Sequence, residues 1–457
     1  MLELNGRKVL VLGLGDSGLS MARWLHARGA RVSVADTRTQ PPHAAALARE
    51  LPEITIVCGG FKASGLQVAE LIAISPGVDR RTPELAAAIK RGTPVAGDVE
   101  LFAQALPQMK SMPRVIAITG TNGKSTVTQM AGDICAAAGR RTVVAGNIGT
   151  PVLDALGEIE RAGSVPDVFV LELSSFQLES TASLNADAAA MLNLSEDHLD
   201  RYDGIGDYAR AKERVFSGNG AQVLNRADAR SAAMAQPGRV VHRFGIDAPH
   251  GRREWGIAGD GGAAALARDH EVFLPLADLR VAGRHNAANA LAAAALCRSI
   301  GIDDAAIAKA LRTFKGLPHR VERVASIKDV IYFDDSKGTN VGSTVAALGG
   351  FTRPVVLIAG GDGKGQDFAP LRDPVKRRAR AVILIGRDSS LIKAALDGCG
   401  VPIVNASDME DAVRRAQAHA KHGDAVLLSP ACASFDMFRN YNHRGEAFAD
   451  AVRKLEP

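Results

Sequence analysis

The segment Gly120-Thr121-Asn122-Gly123-Lys124-Ser125-Thr126 follows an apolar run and opens a helix-forming stretch. That order is a phosphate-binding arrangement. Glycines let backbone N–H groups approach phosphate oxygens, and a helix start adds unpaired donors and partial positive charge. Lys124 is suited to the β- and γ-phosphates of a nucleoside triphosphate, and Ser125 offers a hydroxyl to Mg²⁺. The segment departs from the common G-x-x-x-x-G-K-[ST] pattern, because Ile118 stands where the first glycine belongs. ATP binding is the chemistry it predicts.

A second cradle lies near the N-terminus. Gly13-Leu14-Gly15-Asp16-Ser17-Gly18 fits G-x-G-x-x-G after an apolar strand, and Asp36 ends the next one. This is the dinucleotide fingerprint in spacing and context. Alone it predicts a NAD enzyme. The same geometry serves any diphosphate at a helix start, so a nucleotide-linked substrate is equally open, as is a merely tight turn.

Three side chains downstream could complete a metal centre. Glu172 ends an apolar strand, where a carboxylate faces the crevice at the C-terminal edge of a parallel sheet and suits Mg²⁺. Its bland reading is a solvated strand end. His198 lies in the polar loop Asn193–Tyr202, dense in possible ligands, although a lone loop histidine is usually solvated. Lys212 falls in a helical stretch, and spacing alone gives it no role beyond a solvated face.

The elements that must position these residues alternate. Lys8–Leu14, Arg31–Ala35 and Glu70–Ser75 read as strands, and Leu19–Arg28 as a helix. Val115–Thr119, Arg141–Ala145, Val168–Glu172 and Ala188–Leu192 read as buried strands around a helix at Ser125–Ala138. Residues 240–279 read as hairpins and loops, followed by helices near Asn286–Ile300 and Asp303–Phe314. After Gly316-Leu317-Pro318, further strands are expected at Val330–Phe333, Val355–Ile358, Ala381–Ile385 and Ala425–Ser429. Alternation of this kind predicts parallel sheets covered by helices. The expected fold is α/β in three domains: residues 1–108, 109–316 and 317–457.

Composition supports this and excludes other classes. The 457 residues are 46% hydrophobic and 23% charged, enough for several cores. A net charge of +5 favours a polyanionic small molecule but is too weak for nucleic acid, and the few aromatics are not interleaved with basic residues. Five dispersed cysteines without a CxxC argue for reduced thiols in the cytoplasm and against a zinc cluster. Neither a signal peptide nor a membrane span is expected.

Taken together, Gly120–Thr126, Asn147 in Gly146-Asn147-Ile148-Gly149, Glu172–Glu179, Asp197–Tyr202 and Lys212 resemble the Mur ligases of peptidoglycan synthesis, over essentially the whole chain. Asp335–Asn340, Gly360–Lys364 and Leu428–Asp436 resemble the members that add D-glutamate. The Asp-Asn-Pro-Arg signature of the members adding a diamino acid is absent. Phe435 and Tyr441 depart from the residues commonest in the family.

The resemblance implies an N-terminal Rossmann-like UDP-binding domain, a central P-loop ATPase-like domain and a C-terminal Rossmann-like domain. It implies that a monomer joins D-glutamate to UDP-N-acetylmuramoyl-L-alanine at the expense of ATP, with two Mg²⁺ ions. Lys212 would be carbamylated, and Ser125, Glu172, His198 and Lys212 would surround the metals, with Lys124 catalytic. Asn286, Asn289, Arg320 and Asp335 would contact ATP. Asp16, Ser17, Gly18, Asp36, Thr37, Arg38 and Ser75 would hold the UDP part, and Asn147, Gln177 and His198 the muramoyl-alanine arm. Lys337, Thr339, Lys364, Ser434, Phe435 and Tyr441 would receive D-glutamate. Other amide ligases of the same superfamily, including one adding glutamate to folate, are the nearest alternatives. A NAD-dependent dehydrogenase and a nucleotide-binding protein without ligase chemistry are more remote.

Overall fold

The computed structural model describes residues 3–281 and 283–455. Three sheets follow one another along the chain. The first has five parallel strands in the order Thr55–Cys58, Arg31–Asp36, Lys8–Leu12, Leu71–Ile74, Val95–Ala96. The chain reverses its direction of travel between Lys8–Leu12 and Leu71–Ile74. A crevice opens at the C-terminal ends of strands at such a switch point, and Gly13 and Ser75 sit there.

The central sheet has nine strands. Six run in parallel from Thr142–Gly146 through Val168–Glu172, Arg114–Thr119, Ala188–Met191 and Ala221–Asn225 to Val241–Phe244. Glu254–Ala258 continues in parallel, then Ala265–Arg268 and Glu271–Pro275 turn antiparallel. The region read as hairpins and loops therefore extends the main sheet before forming its meander. Polar, glycine-rich connections hid that continuity, and Trp255 and Leu266 are the buried anchors that enforce it.

Helices Lys124–Ala137 and Arg284–Ser299 pack on one face of this sheet. The alanine run Ala292–Ala295 is wholly buried, because small side chains let the second helix lie close to both sheet and first helix. The third sheet has six strands in the order Glu322–Ile327, Val330–Asp334, Ala425–Leu428, Val355–Gly360, Ala379–Ile385, Ile403–Asn405, with only the first antiparallel. Short edge strands such as Val95–Ala96 and Ile403–Asn405 bury little and carried no clear sequence pattern. Among the described residues, no helix is long and apolar enough to cross a membrane.

Candidate active site

The strand Arg114–Thr119 delivers the chain into the phosphate loop, and Gly123 starts the helix at φ +84°. A Cβ there would meet Asn289 Oδ1 at 2.6 Å, so glycine is required by both conformation and space. Asn193 holds the loop from the next strand: its Oδ1 accepts from Asn122 N at 2.9 Å and its Nδ2 donates to Asn122 O at 3.0 Å. Lys124 Nζ donates to the carbonyls of Gly120 (2.9 Å) and Thr121 (2.8 Å). Burial lowers its pKa, against the pull of Glu172 and Asp197.

A cavity of about 520 Å³ opens over this loop. Thr121 through Thr126, Asn147, Glu172, His198, Lys212, Asn286, Asn289, Arg320, Asp335, Lys337, Thr339 and Lys364 all line it. Residues from the central sheet region and from the segment after residue 316 thus converge on one cavity. Arg320 Nη2 donates to Ser125 Oγ at 2.7 Å, and Lys364 Nζ pairs with Asp197 at 2.7 Å. Burial pushes the Asp197 carboxyl up, but Lys364 and His198 more than offset this and hold it low.

Glu172 is buried, not solvated. Its Oε1 accepts from Asn147 Nδ2 at 2.9 Å, while Oε2 is buried without a hydrogen-bond partner. An orphaned carboxylate oxygen is costly unless a cation meets it. Glu172, Ser125, His198 and Lys212 border the same cavity, and the carboxylate and hydroxyl among them are hard oxygen donors that suit Mg²⁺. Lys212 fits the set only if its amine carries an acid group. It is buried, with Nζ donating to Thr119 Oγ1 at 3.2 Å and Gly120 O at 2.9 Å. Burial, then repulsion from Lys124, pulls its pKa well down. The one tight cluster of metal-capable side chains among the described residues lies elsewhere, at His319, Glu322 and Asp334. There His319 Nδ1 lies 2.6 Å from Asp334 Oδ2, bracing the entry to the third sheet.

A second cavity, of about 580 Å³, occupies the crevice of the first sheet. Asp16, Ser17, Asp36, Thr37, Arg38, Ser75, Asn147 and Gln177 line it. Gly18 stands just behind, where a Cβ would come within 1.9 Å of the Gly13 carbonyl oxygen. Asp36 braces the turn: its oxygens accept from Leu14 N (2.7 Å) and from Arg38 N, Nε and Nη2. Burial alone would raise its pKa, but these bonds hold it down at about 2. Gln177 is likewise committed, closing a capping box with Ser174 and donating to Asp98 at 3.1 Å. Asn147 borders both cavities.

Three predicted residues stand apart. Ser434 is buried and Phe435 is 74% exposed, and neither lines the central cavity. Tyr441 instead lies beneath Lys337, whose Nζ sits 3.8 Å from the ring centroid. Burial lowers the Lys337 pKa to about 8. Sequence reasoning missed Tyr208, buried with its hydroxyl 3.3 Å from Thr121 Oγ1 and its ring 4.8 Å from Lys212 Nζ. Its spacing from Lys212 on one helix was the available signal.

Three α/β domains with a phosphate loop beneath a two-domain cavity, joined to a second anion-cradling crevice, define a nucleotide-dependent multidomain enzyme. Family models agree along the chain: the Mur ligase MurD-like N-terminal domain matches residues 7–97, the Mur ligase middle domain 118–297, and the Mur ligase glutamate ligase domain 319–432. The chain is 57% identical to the UDP-N-acetylmuramoylalanine--D-glutamate ligase of Thiobacillus denitrificans, over 99% of this chain and 98% of the relative. It is also 57% identical to the protein so named from Methylobacillus flagellatus, over 100% and 99%. Among solved structures, a UDP-N-acetylmuramate-alanine ligase from Thermotoga maritima superposes with a TM-score of 0.60 at 19% identity, covering 98% of this chain and 100% of that one; it speaks for the fold alone. The chain belongs to the Mur ligase family. It is an ATP-dependent ligase of peptidoglycan synthesis.

Proposed function

We propose that this enzyme joins D-glutamate to UDP-N-acetylmuramoyl-L-alanine in the cytoplasm, as a monomer, giving ADP and phosphate. The observation carrying the substrate layout is Asn147, which borders both cavities and donates to Glu172. A substrate with its nucleotide in the first crevice can pass Asn147 and present its carboxylate beside the phosphate loop. The shared activity name of full-length relatives supports D-glutamate as the amine donor. Working boundaries near residues 108 and 316 divide the chain into UDP-binding, ATP-binding and amino-acid-binding domains.

In this reading Asp16, Ser17, Thr37, Arg38 and Ser75 hold the UDP part, and Asn286 and Asn289 the adenine. Lys124 and the loop N–H groups neutralise the β- and γ-phosphates so that the L-alanine carboxylate can approach in line. Carboxylate oxygen bonds to the γ-phosphorus as the bond to ADP breaks, giving an acyl phosphate. Lys337, Thr339 and Lys364 orient D-glutamate, whose amine attacks the acyl carbon and expels phosphate. Mg²⁺, when bound among Ser125, Glu172, His198 and Lys212, supplies charge neutralisation. Lys212 joins that set as a carbamate, formed when its neutral amine bonds CO₂ and releases a proton. The depressed pKa and burial of Lys212 support this.

Phosphate release with UDP-N-acetylmuramoyl-L-alanine and each amino acid in turn tests the assignment. Release with D-glutamate alone is expected; release with L-alanine and none with D-glutamate would overturn it. Lys212→Ala should be inactive and partly rescued by a short-chain carboxylate, and full activity without rescue would remove Lys212 from the centre.

A further inference from the structure

His198 adopts φ +55°, a left-handed conformation that costs free energy in a residue bearing a Cβ. The turn behind it holds it there. Backbone N–H groups of Arg201 (2.9 Å) and Tyr202 (3.2 Å) both donate to the His198 carbonyl. The Arg201 side chain, one-tenth exposed, then reaches the opposite way. It donates to the carbonyls of Pro76 (3.2 Å) and Val78 (3.1 Å), in the turn that walls the first crevice. It also donates through Nε (3.2 Å) and Nη2 (2.6 Å) to Glu179, which accepts the Tyr202 hydroxyl at 2.6 Å as well. Phe176 fills the space between, 4.4 Å from the guanidinium carbon and 4.7 Å from the His198 ring.

One side chain therefore touches the wall of one cavity while its own backbone fixes a residue lining the other. Its planar fork meets two carbonyls and a carboxylate simultaneously, which an ammonium on a flexible stem does not reproduce. We propose that Arg201 is a positioning residue that couples occupation of the nucleotide-side crevice to the placement of His198 over the phosphate-loop cavity. The coupling runs from Pro76 and Val78 through the guanidinium to the turn that fixes the His198 backbone. It rests on the functional reading above.

The test uses full-length protein and two variants, Arg201→Lys and Tyr202→Phe. The dissociation constant of UDP-N-acetylmuramoyl-L-alanine is measured by calorimetry without ATP or metal. The Mg²⁺ concentration for half-maximal phosphate release and the melting temperature are measured alongside. Arg201→Lys should weaken substrate binding and raise the Mg²⁺ midpoint by about tenfold each, the size expected from losing one charged hydrogen bond. Tyr202→Phe removes the hydroxyl, with its bonds to Glu179 and Ser175, and leaves the Arg201 fork in place; it should shift both in the same direction by less, and it decides the matter if Arg201→Lys does not fold. A lower melting temperature with both quantities unchanged, or a shift in only one, would overturn the coupling. Failure of the unaltered protein to bind the UDP substrate would instead strike the functional reading.

Discussion

Asn122 and Asn340 exchange side-chain amide hydrogen bonds between the central and third domains: Asn122 Nδ2 donates to Asn340 Oδ1 at 3.2 Å, and Asn340 Nδ2 returns to Asn122 Oδ1 at 3.0 Å. Ser343 adds its hydroxyl to Asn122 Oδ1 at 2.6 Å. The phosphate loop is thus tied to the start of helix Val341–Gly350, which Asn340 caps through Ser343 N. Closure of a mobile domain would exclude water from an acyl phosphate.

Asn122→Ala leaves that helix cap intact and removes the latch. Each neutral hydrogen bond contributes about 1 kcal/mol, so loss of the three to Asn122 should lower kcat/KM for D-glutamate by about a hundredfold. Ser343→Ala should cost less, and the double variant should cost less than the sum, since both act on one acceptor. Steady-state phosphate release checks this, and strict additivity would argue that the two act separately.

Gly18→Ala should destabilise the first domain sharply. The added Cβ would lie 1.9 Å from the Gly13 carbonyl, which belongs to rigid backbone and must move. Overpacking typically costs about 1–3 kcal/mol, and a backbone clash belongs at the top of that range. Urea unfolding should show the loss together with weaker UDP binding. An unchanged midpoint would show that the helix shifts freely away from the strand.

Much of this architecture was legible because local pattern and tertiary demand agree. Val168–Glu172 is an apolar run that ends on a carboxylate, and the structure buries that strand and delivers Glu172 to the cavity. Lys212 was different: helical spacing made it a surface lysine, and only resemblance gave it a role. Its burial depends on strands far away in sequence, through Thr119 and Gly120. Gln177 and Asp36 show the converse limit. The resemblance assigned both to substrate contacts, yet their polar atoms also close the local turns that shape the crevice.

Glu172→Gln separates binding chemistry from folding. The Oε2 atom accepts no hydrogen bond, and its desolvation is offset only by the nearby Lys124, Lys212, Arg320 and Lys337, so removing the negative charge exchanges one buried cost for another and should change the melting temperature little. Activity should fall by about 100-fold or more if the carboxylate holds the Mg²⁺ that neutralises phosphate charge in the transition state. The Mg²⁺ midpoint should rise as well. Near-normal turnover at the usual Mg²⁺ concentration would remove Glu172 from the metal set.

Asp335 gives a pH signature of stability. Burial raises its pKa to about 7 from an ordinary 3.8, while the Ser429 hydroxyl, donating at 2.7 Å, and Arg320 pull the other way. Below 3.8 the carboxyl is protonated in both folded and unfolded chains, and its contribution is intact. As pH rises toward about 7 the unfolded chain releases this proton while the folded chain retains it, so the contribution is progressively lost. Asp335→Asn cannot ionise. Measured by urea unfolding across this range, the variant should gain on the parent as pH rises, and the difference should level off above about 7. A difference independent of pH would mean that Asp335 ionises in the folded chain as readily as in water. The same variant should bind ATP more weakly, because Asp335 lines the nucleotide cavity beside Arg320.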